Sequence, residues 1–315
     1  MSAPIGIFRN LSTIGLPLSG RPSELIELAL SFGFDSMDID IVDLQQQADL
    51  YGVEHARRLM VSARLTSGLF QLPVALGGDD AAFDRDLAAL PRRLELARAA
   101  EAPRASATLA AASAQHSFKD FFELHRRRLD ALGELLAEHG VTLGLAFHPE
   151  TEATAEEGSR FVATYEALIG LVSASHPSVG VIVDSWAVHV TGEGLDVIGN
   201  VPRGRIVEVR LSDAPREVRG GDLHANQRLL PGESGVIPAA AMLAHARDAG
   251  FEGPVTPWAD RSALAGRGRE KIVRLAGDRL EAAWREAGLP IVPRWFMPVA
   301  KEGASTFGEP ALAAE

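Results

Sequence analysis

Apolar and polar positions alternate along this chain in a repeating unit: a short apolar run, a turn, then an amphipathic stretch of helical period. FRNLSTI at 8–14 predicts a first strand, and the segment from Ser19 through Phe32 a helix, with Pro22 in its first turn and Gly33 at its end. DSMDIDI at 35–41 alternates as a strand does, and a helix over 43–61 follows, with Gly52 a breaking point. RLTSGLFQLPVAL at 64–76 predicts strand three. FDRDLAALPRRLELARAA predicts helix three, which Pro91 should kink or split. RASATLAA at 104–111 predicts strand four, and 117–138 a long helix closed by Gly140. VTLGLAFHPE at 141–150 and a helix over 155–173 form the fifth unit, and SVGVIVDSW at 178–186 the sixth strand. RIVEVRLSD at 205–213, a helix over 237–250, GPVTPWAD at 253–260 and a helix over 268–287 complete the series.

Strands alternating with helices imply a parallel sheet. Eight units in about 280 residues favour closure into a single (βα)8 barrel of class α/β. LGLAF and GVIVDSW stay apolar until their ends, as strands covered on both faces should. The barrel is expected over residues 1–288. Residues 289–315 form an extension with four prolines and no periodicity, its last ten or so expected to be disordered. Its start carries Trp295, Phe296 and Met297, too apolar for simple solvation, so it either packs on its own barrel or crosses to a second subunit in a homodimer.

Composition narrows the class. Of 315 residues, 46% are hydrophobic and 23% charged, the balance of a large globular core. A net charge of −11 argues against nucleic acid, whose phosphates need a basic face. The absence of cysteine excludes disulfides and thiolate chemistry. MSAPIGIFRN shows no signal-peptide pattern, and no run of 18 apolar residues suggests a membrane span, so a cytoplasmic location is expected.

Barrel chemistry gathers at the C-terminal ends of the strands. There the sequence offers Asp38 and Asp40, Gln71, His148 and Glu150, Asp184 with Trp186 and His189, Arg210 and Asp213, then His224, Arg228 and Glu233, and finally Trp258 and Asp260. His148 with Glu150 suits a general base and its orienting group, because histidine titrates near neutrality. His189 and His224 are alternatives, and each is equally readable as a rim histidine. Asp38 and Asp40 share a face, so one enters the mouth or both cap and pair structurally. Gln71 is a candidate hydrogen-bond donor to substrate. Trp258 is a stacking platform or a plug. Glu233 lies in a glycine turn and is either a cap or a site residue.

The stretches GFDSMDIDI, HGVTLGLAFHPE, VGVIVDSW, VRLSDAP, LLPGESGVIPAAAMLAHARDAGF and EGPVTPWAD resemble successive units of the xylose isomerase-like TIM barrels, over roughly residues 8–287. That resemblance implies a sugar isomerase or epimerase fold with a divalent metal held by Glu, Asp, His and Glu at the ends of strands five to eight. Those positions fall on Ala146, Asp184, Arg210 and Trp258, and a histidine three residues after the aspartate falls on Ala187. One ligand of the four remains. The expectation is therefore no cofactor, a divalent metal being disfavoured, with Arg210 paired to Asp184 in the metal's electrostatic place.

The reading that follows is an isomerase, epimerase or related lyase acting on a small hydroxylated carbonyl compound. His148, Glu150, Arg210 and Asp184 would be catalytic, and Asp40, Gln71, Trp186, His189, His224, Arg228 and Trp258 would contact substrate. The alternatives are an inactive barrel that binds a metabolite or protein, and a metal-dependent isomerase with displaced ligands such as His148, Glu150, Asp184 and His189.

Overall fold

The computed structural model describes residues 6–110, 112–113, 116–149, 159–219 and 222–291. The strands are β1 (Phe8–Leu11), β2 (Ser36–Met37), β3 (Thr66–Ser67), β4 (Phe70–Gln71), β5 (Arg104–Leu109), β6 (Ala112–Ser113), β7 (Thr142–Phe147), β8 (Ser159–Arg160), β9 (Val179–Asp184), β10 (Ile206–Leu211) and β11 (Pro254–Pro257). Nine of them form one parallel sheet in the order β3-β2-β1-β11-β10-β9-β7-β5-β4. β3 and β4 are two pieces of one strand interrupted at Gly68 and Leu69, so the two ends of this order meet and eight staves close a barrel. β6 and β8 make a separate antiparallel ribbon.

The helices are α1 (Pro22–Ser31), α2 (Ile41–Tyr51), α3 (Val53–Ala63), α4 (Asp80–Ala99), α5 (Phe118–Glu138), α6 (Tyr165–Ser173), α7 (Ser185–Thr191), α8 (Ala239–Asp248) and α9 (Arg269–Glu286). Several have side-chain caps: Asp40, Asp79, Ser117, Thr164 and Asp184 each accept a first-turn backbone N–H. The outer faces of the strands, Leu143, Leu145, Val181, Val183, Val209 and Leu211 among them, pack against the helices in one large core. The barrel interior holds a smaller apolar layer of Leu69, Ala146, Ile182 and Val207. Gly144 makes room for that layer, since a Cβ there would meet Ile182 Cγ1 at 2.7 Å and Val207 Cβ at 3.0 Å.

Some expected boundaries are corrected. DSMDIDI is not a seven-residue strand: only Ser36 and Met37 pair, and Asp40 already caps α2. The helix after it does break at Gly52, whose φ of 86° ends one helix and starts the next. Pro91 does not split α4, which runs unbroken for 20 residues. Of the helix expected over 155–173, residues 159–164 are not helical and the helix runs from Tyr165, capped by Thr164; residues 155–158 lie outside the described residues. Trp186 lies in the first turn of α7, past the end of the sixth stave. Glu150 and the extension from residue 292 onward lie outside the described residues.

Candidate active site

Inward-facing positions of the staves turn polar toward their C-terminal ends. Asn10 on β1, Thr256 on β11 and Glu208 and Arg210 on β10 line the interior, and Asp38 follows β2. Glu208 and Arg210 share a face because side chains in a strand alternate. The register between β9 and β10 shifts between Ile206 and Glu208, which brings Arg210 opposite Asp184.

These side chains form a directed hydrogen-bond chain. Asn10 Nδ2 donates to Asp38 Oδ1 at 2.8 Å and to Thr256 Oγ1 at 3.0 Å, while its oxygen accepts from Ser36 Oγ at 2.8 Å. Thr256 Oγ1 in turn donates to Glu208 Oε1 at 2.5 Å, and Arg210 Nε donates to Glu208 Oε2 at 2.9 Å. Glu208 is 1% exposed and its pKa is pushed up to about 7. Burial is the main cause, the charge of Asp38 adds to it, and Arg210 and Thr256 oppose it. Asp38 is half-buried and accepts from the Leu69 N–H at 2.8 Å. Its pKa is also raised, by desolvation, against the pull of Ser12, Leu69, Asn10 and the nearby Arg210 charge. Gly68 lets these groups approach: a Cβ there would lie 2.2 Å from Asn10 Oδ1 and 2.5 Å from Asp38 Oδ1.

A second guanidinium stands beside the first. Arg228 is 5% exposed; its Nε donates to Ser212 Oγ at 2.7 Å and its Nη2 pairs with Asp184 Oδ1. Its main chain is clamped on both sides, because Leu229 and Asp213 exchange N–H···O bonds of 2.9 Å and the Asp260 N–H reaches Arg228 O at 2.9 Å. The expected Arg210–Asp184 pair is therefore replaced by two others, Arg210 with Glu208 and Arg228 with Asp184. Glu208 lies two residues from Arg210 on the same strand face, so it reaches Nε first, and the loop after β10 delivers Arg228 to Asp184.

Both guanidiniums contact the indole of Trp258, Arg210 with its Cζ 4.1 Å and Arg228 5.5 Å from the ring centroid. Gly15 also packs on that ring; a Cβ on it would sit 2.5 Å from Cε3. The ring is thus a support for Arg210. Trp186 is also corrected: at 1% exposure it packs with Ala214, Leu223 and Ile237 as core, with Arg228 5.7 Å from its ring centroid. Asp40 is exposed and spends its carboxylate on Val42 N and Asp43 N, so Asp38 is the acid that enters the mouth. Gln71, His148 and His224 are exposed at their loops and strand ends. His189 is half-buried in the last turn of α7; burial depresses its pKa, opposed by Asp213, and its Nε2 has no hydrogen-bond partner among the described residues.

Asp213 has a different task. Its Oδ1 accepts N–H bonds from Ala214, Val236 and Ile237 at 2.9–3.0 Å, and its Oδ2 accepts from Ser234 at 2.7 Å and Gly235 at 2.6 Å. Burial alone would raise its pKa, but the bonds from Ile237, Gly235 and Ala214 outweigh it and hold the value below the ordinary range. This carboxylate fixes the loop that carries Glu233, whose Oε2 caps the Leu230 N–H as the turn reading expected.

A parallel eight-stave barrel with its polar cluster at the C-terminal mouth matches a known group. The family described as xylose isomerase-like TIM barrel matches residues 26–282. The chain belongs to the xylose isomerase-like TIM barrel family. Among solved structures it is similar to a xylose isomerase domain protein from Alicyclobacillus acidocaldarius, at 25% identity and TM-score 0.80, covering 90% of this chain and 99% of that one. The IolI protein with a bound zinc atom (15% identity, TM-score 0.74, 88% and 97% covered) has the same fold. So does D-psicose 3-epimerase from Clostridium cellulolyticum H10 (12%, 0.68, 89% and 99%). No curated protein matches the chain.

A divalent ion in this family would need oxygen and imidazole donors at the mouth. Ala146 ends in a methyl group, Asp184 is engaged by Arg228, Arg210 is a cation and Trp258 an indole without a lone pair. Among the described residues, no group of three or more His, Asp or Glu is placed to hold a metal ion. The four residues do not fit the group. Among the described residues, no helix is long and apolar enough to cross a membrane.

Proposed function

We propose that this protein is an enzyme of the isomerase, epimerase or lyase type. It acts on a small hydroxylated carbonyl compound, and fixed guanidiniums supply the positive charge at its mouth. The observation that carries this reading is a half-buried carboxylate with a raised pKa, Asp38, opposite the charge of Arg210. A carboxylate whose pKa is raised above its ordinary range is a stronger base than a free one and is suited to taking and returning a proton. Asp38 removes the proton from the carbon next to the carbonyl. The electron pair moves onto the carbonyl oxygen, and the resulting enolate oxygen is held by guanidinium N–H donors in a site largely shut from water. Return of the proton to the other face gives epimerisation, and return to the neighbouring carbon gives isomerisation. Loss of a β-hydroxyl as water, with Asp38 or a rim group such as His148 supplying the proton, gives elimination. Asp184 and Glu208 orient the two arginines.

Similarity to a D-psicose 3-epimerase supports this class of chemistry at the level of fold. The test is solvent exchange. Ketoses and polyhydroxylated keto compounds are incubated with the protein in D2O containing EDTA and followed by proton NMR. The reading requires deuterium at the carbon next to the carbonyl of at least one compound, and its loss in Asp38→Asn. Exchange that continues unchanged in Asp38→Asn, or that needs an added divalent metal, rejects it.

A further inference from the structure

We infer that the mouth of this barrel takes a small carboxylate, a hydroxy or keto acid, docked edge-on against the free end of Arg210. The inference rests on the reading above and adds the chemical class of the substrate. Arg210 has a side chain only 10% exposed, yet Nε is its one hydrogen-bonding nitrogen among the described residues, spent on Glu208. Nη1 and Nη2 make no hydrogen bond or ion pair there. Neither nitrogen is shut off from solvent, so in an otherwise buried side chain this edge is the one that an entering ligand can reach.

Its setting selects the shape of that ligand. The Arg210 guanidinium lies over the Trp258 indole, and Glu208 takes its Nε edge, so the Nη1–Nη2 edge is the direction left open. Two parallel N–H groups in one plane match the two oxygens of a carboxylate. Among the described residues Arg228 Nη1 has no partner beyond the bonds of Nε to Ser212 and Nη2 to Asp184, which leaves one further donor for a hydroxyl or carbonyl oxygen of the same molecule.

Phosphate is the competing anion, and the fold argues against it. Barrels of this kind frequently bind phosphate on backbone N–H groups of the loops after strands seven and eight. Here the loop after β10 has already committed the N–H groups of Ser234, Gly235, Val236 and Ile237 to Asp213. The first turn of α7 is likewise capped by Asp184 through the Trp186 N–H. A dianion would also enter beside three carboxylates, those of Asp38, Glu208 and Asp184, against two guanidiniums.

The experiment is calorimetric titration of the intact chain in EDTA with three probes: D-glycerate, inorganic phosphate and D-xylose. D-Glycerate is expected to bind at least tenfold more tightly than the other two. Arg210→Lys, which keeps the charge and loses the fork, and Arg210→Gln are each expected to weaken it at least tenfold. If the glutamine variant does not fold, the lysine variant alone decides. The inference is overturned by no detectable D-glycerate binding, by phosphate or D-xylose binding more tightly, or by unaltered affinity in Arg210→Lys. Asp38→Asn separates the two claims. It should retain D-glycerate binding while losing solvent exchange, so carboxylate binding without turnover defeats the proposed reaction alone, and turnover of neutral sugars alone defeats this inference.

Discussion

Replacing Asp213 with asparagine keeps its size and one acceptor oxygen but puts an amide NH2 where the second carboxylate oxygen stood. The less harmful placement leaves the N–H groups of Ser234 and Gly235, now 2.7 and 2.6 Å from that oxygen, facing another donor. A hydrogen bond to a charged group contributes about 1.5–3 kcal/mol, so losing two puts an upper bound of about 6 kcal/mol on the cost. The loop is partly exposed and can relax, so about 3 kcal/mol is expected. Urea unfolding followed by tryptophan fluorescence would show a lower midpoint at unchanged slope, and Tm would fall by about 6 °C for a chain of this size. The damage should reach the site as well. Asp213 pairs with Leu229, the residue after Arg228, so the turnover or ligand affinity that depends on Arg228 should drop beyond the stability loss. A destabilisation under about 1 kcal/mol would refute the claim that this carboxylate organises the loop.

Arg228→Ala leaves Asp184 buried without its partner and should cost about 3–5 kcal/mol in chemical denaturation. Gly68→Ala would push a methyl group against Asn10 and Asp38, so solvent exchange should fall at least tenfold while the far-ultraviolet spectrum is kept. Gly15→Ala should displace the Trp258 ring that supports Arg210, at a cost of about 1–3 kcal/mol, read by thermal melting. The pH dependence of stability has two opposed windows. Asp213 is depressed, so its contribution is present above the unfolded carboxylate range and is lost as pH falls through its folded value. Glu208 is raised from an ordinary 4.5 to about 7, so between those values the folded chain binds more protons and stability declines as pH rises. That decline is on the order of 3 kcal/mol, and Glu208→Gln should flatten it in urea midpoints measured from pH 5 to 8.

The eight strand–helix units were legible because parallel strands buried on both faces announce themselves as apolar runs, and caps and glycines mark the helix ends. Asp184, Arg210, Arg228 and Trp258 were legible as strand-end and loop residues, and the structure gathers them at one mouth. Their pairing was not, because which carboxylate meets which guanidinium depends on the register shift in β10 and on the path of the following loop. Glu208 was overlooked although RIVEVRLSD signals it: a charge that interrupts an apolar strand two residues before Arg210 must share its face. Asn10 and Thr256 were invisible, since a lone polar residue in a short strand has no periodic signature. Asp38 and Asp40 could not be separated by alternation, because the strand ends at Met37 and the chain turns into a helix that takes Asp40 as its cap.

We propose that guanidiniums occupy the place a divalent ion would take. Elemental analysis tests it most directly: the purified protein is dialysed against manganese, cobalt, zinc and magnesium in turn, then against metal-free buffer. No divalent metal should be retained in proportion to chain, and the melting temperature should be unchanged by EDTA. About one metal retained per chain, with a melting temperature lowered by EDTA, would contradict it and return the search to ligands outside the four strand ends.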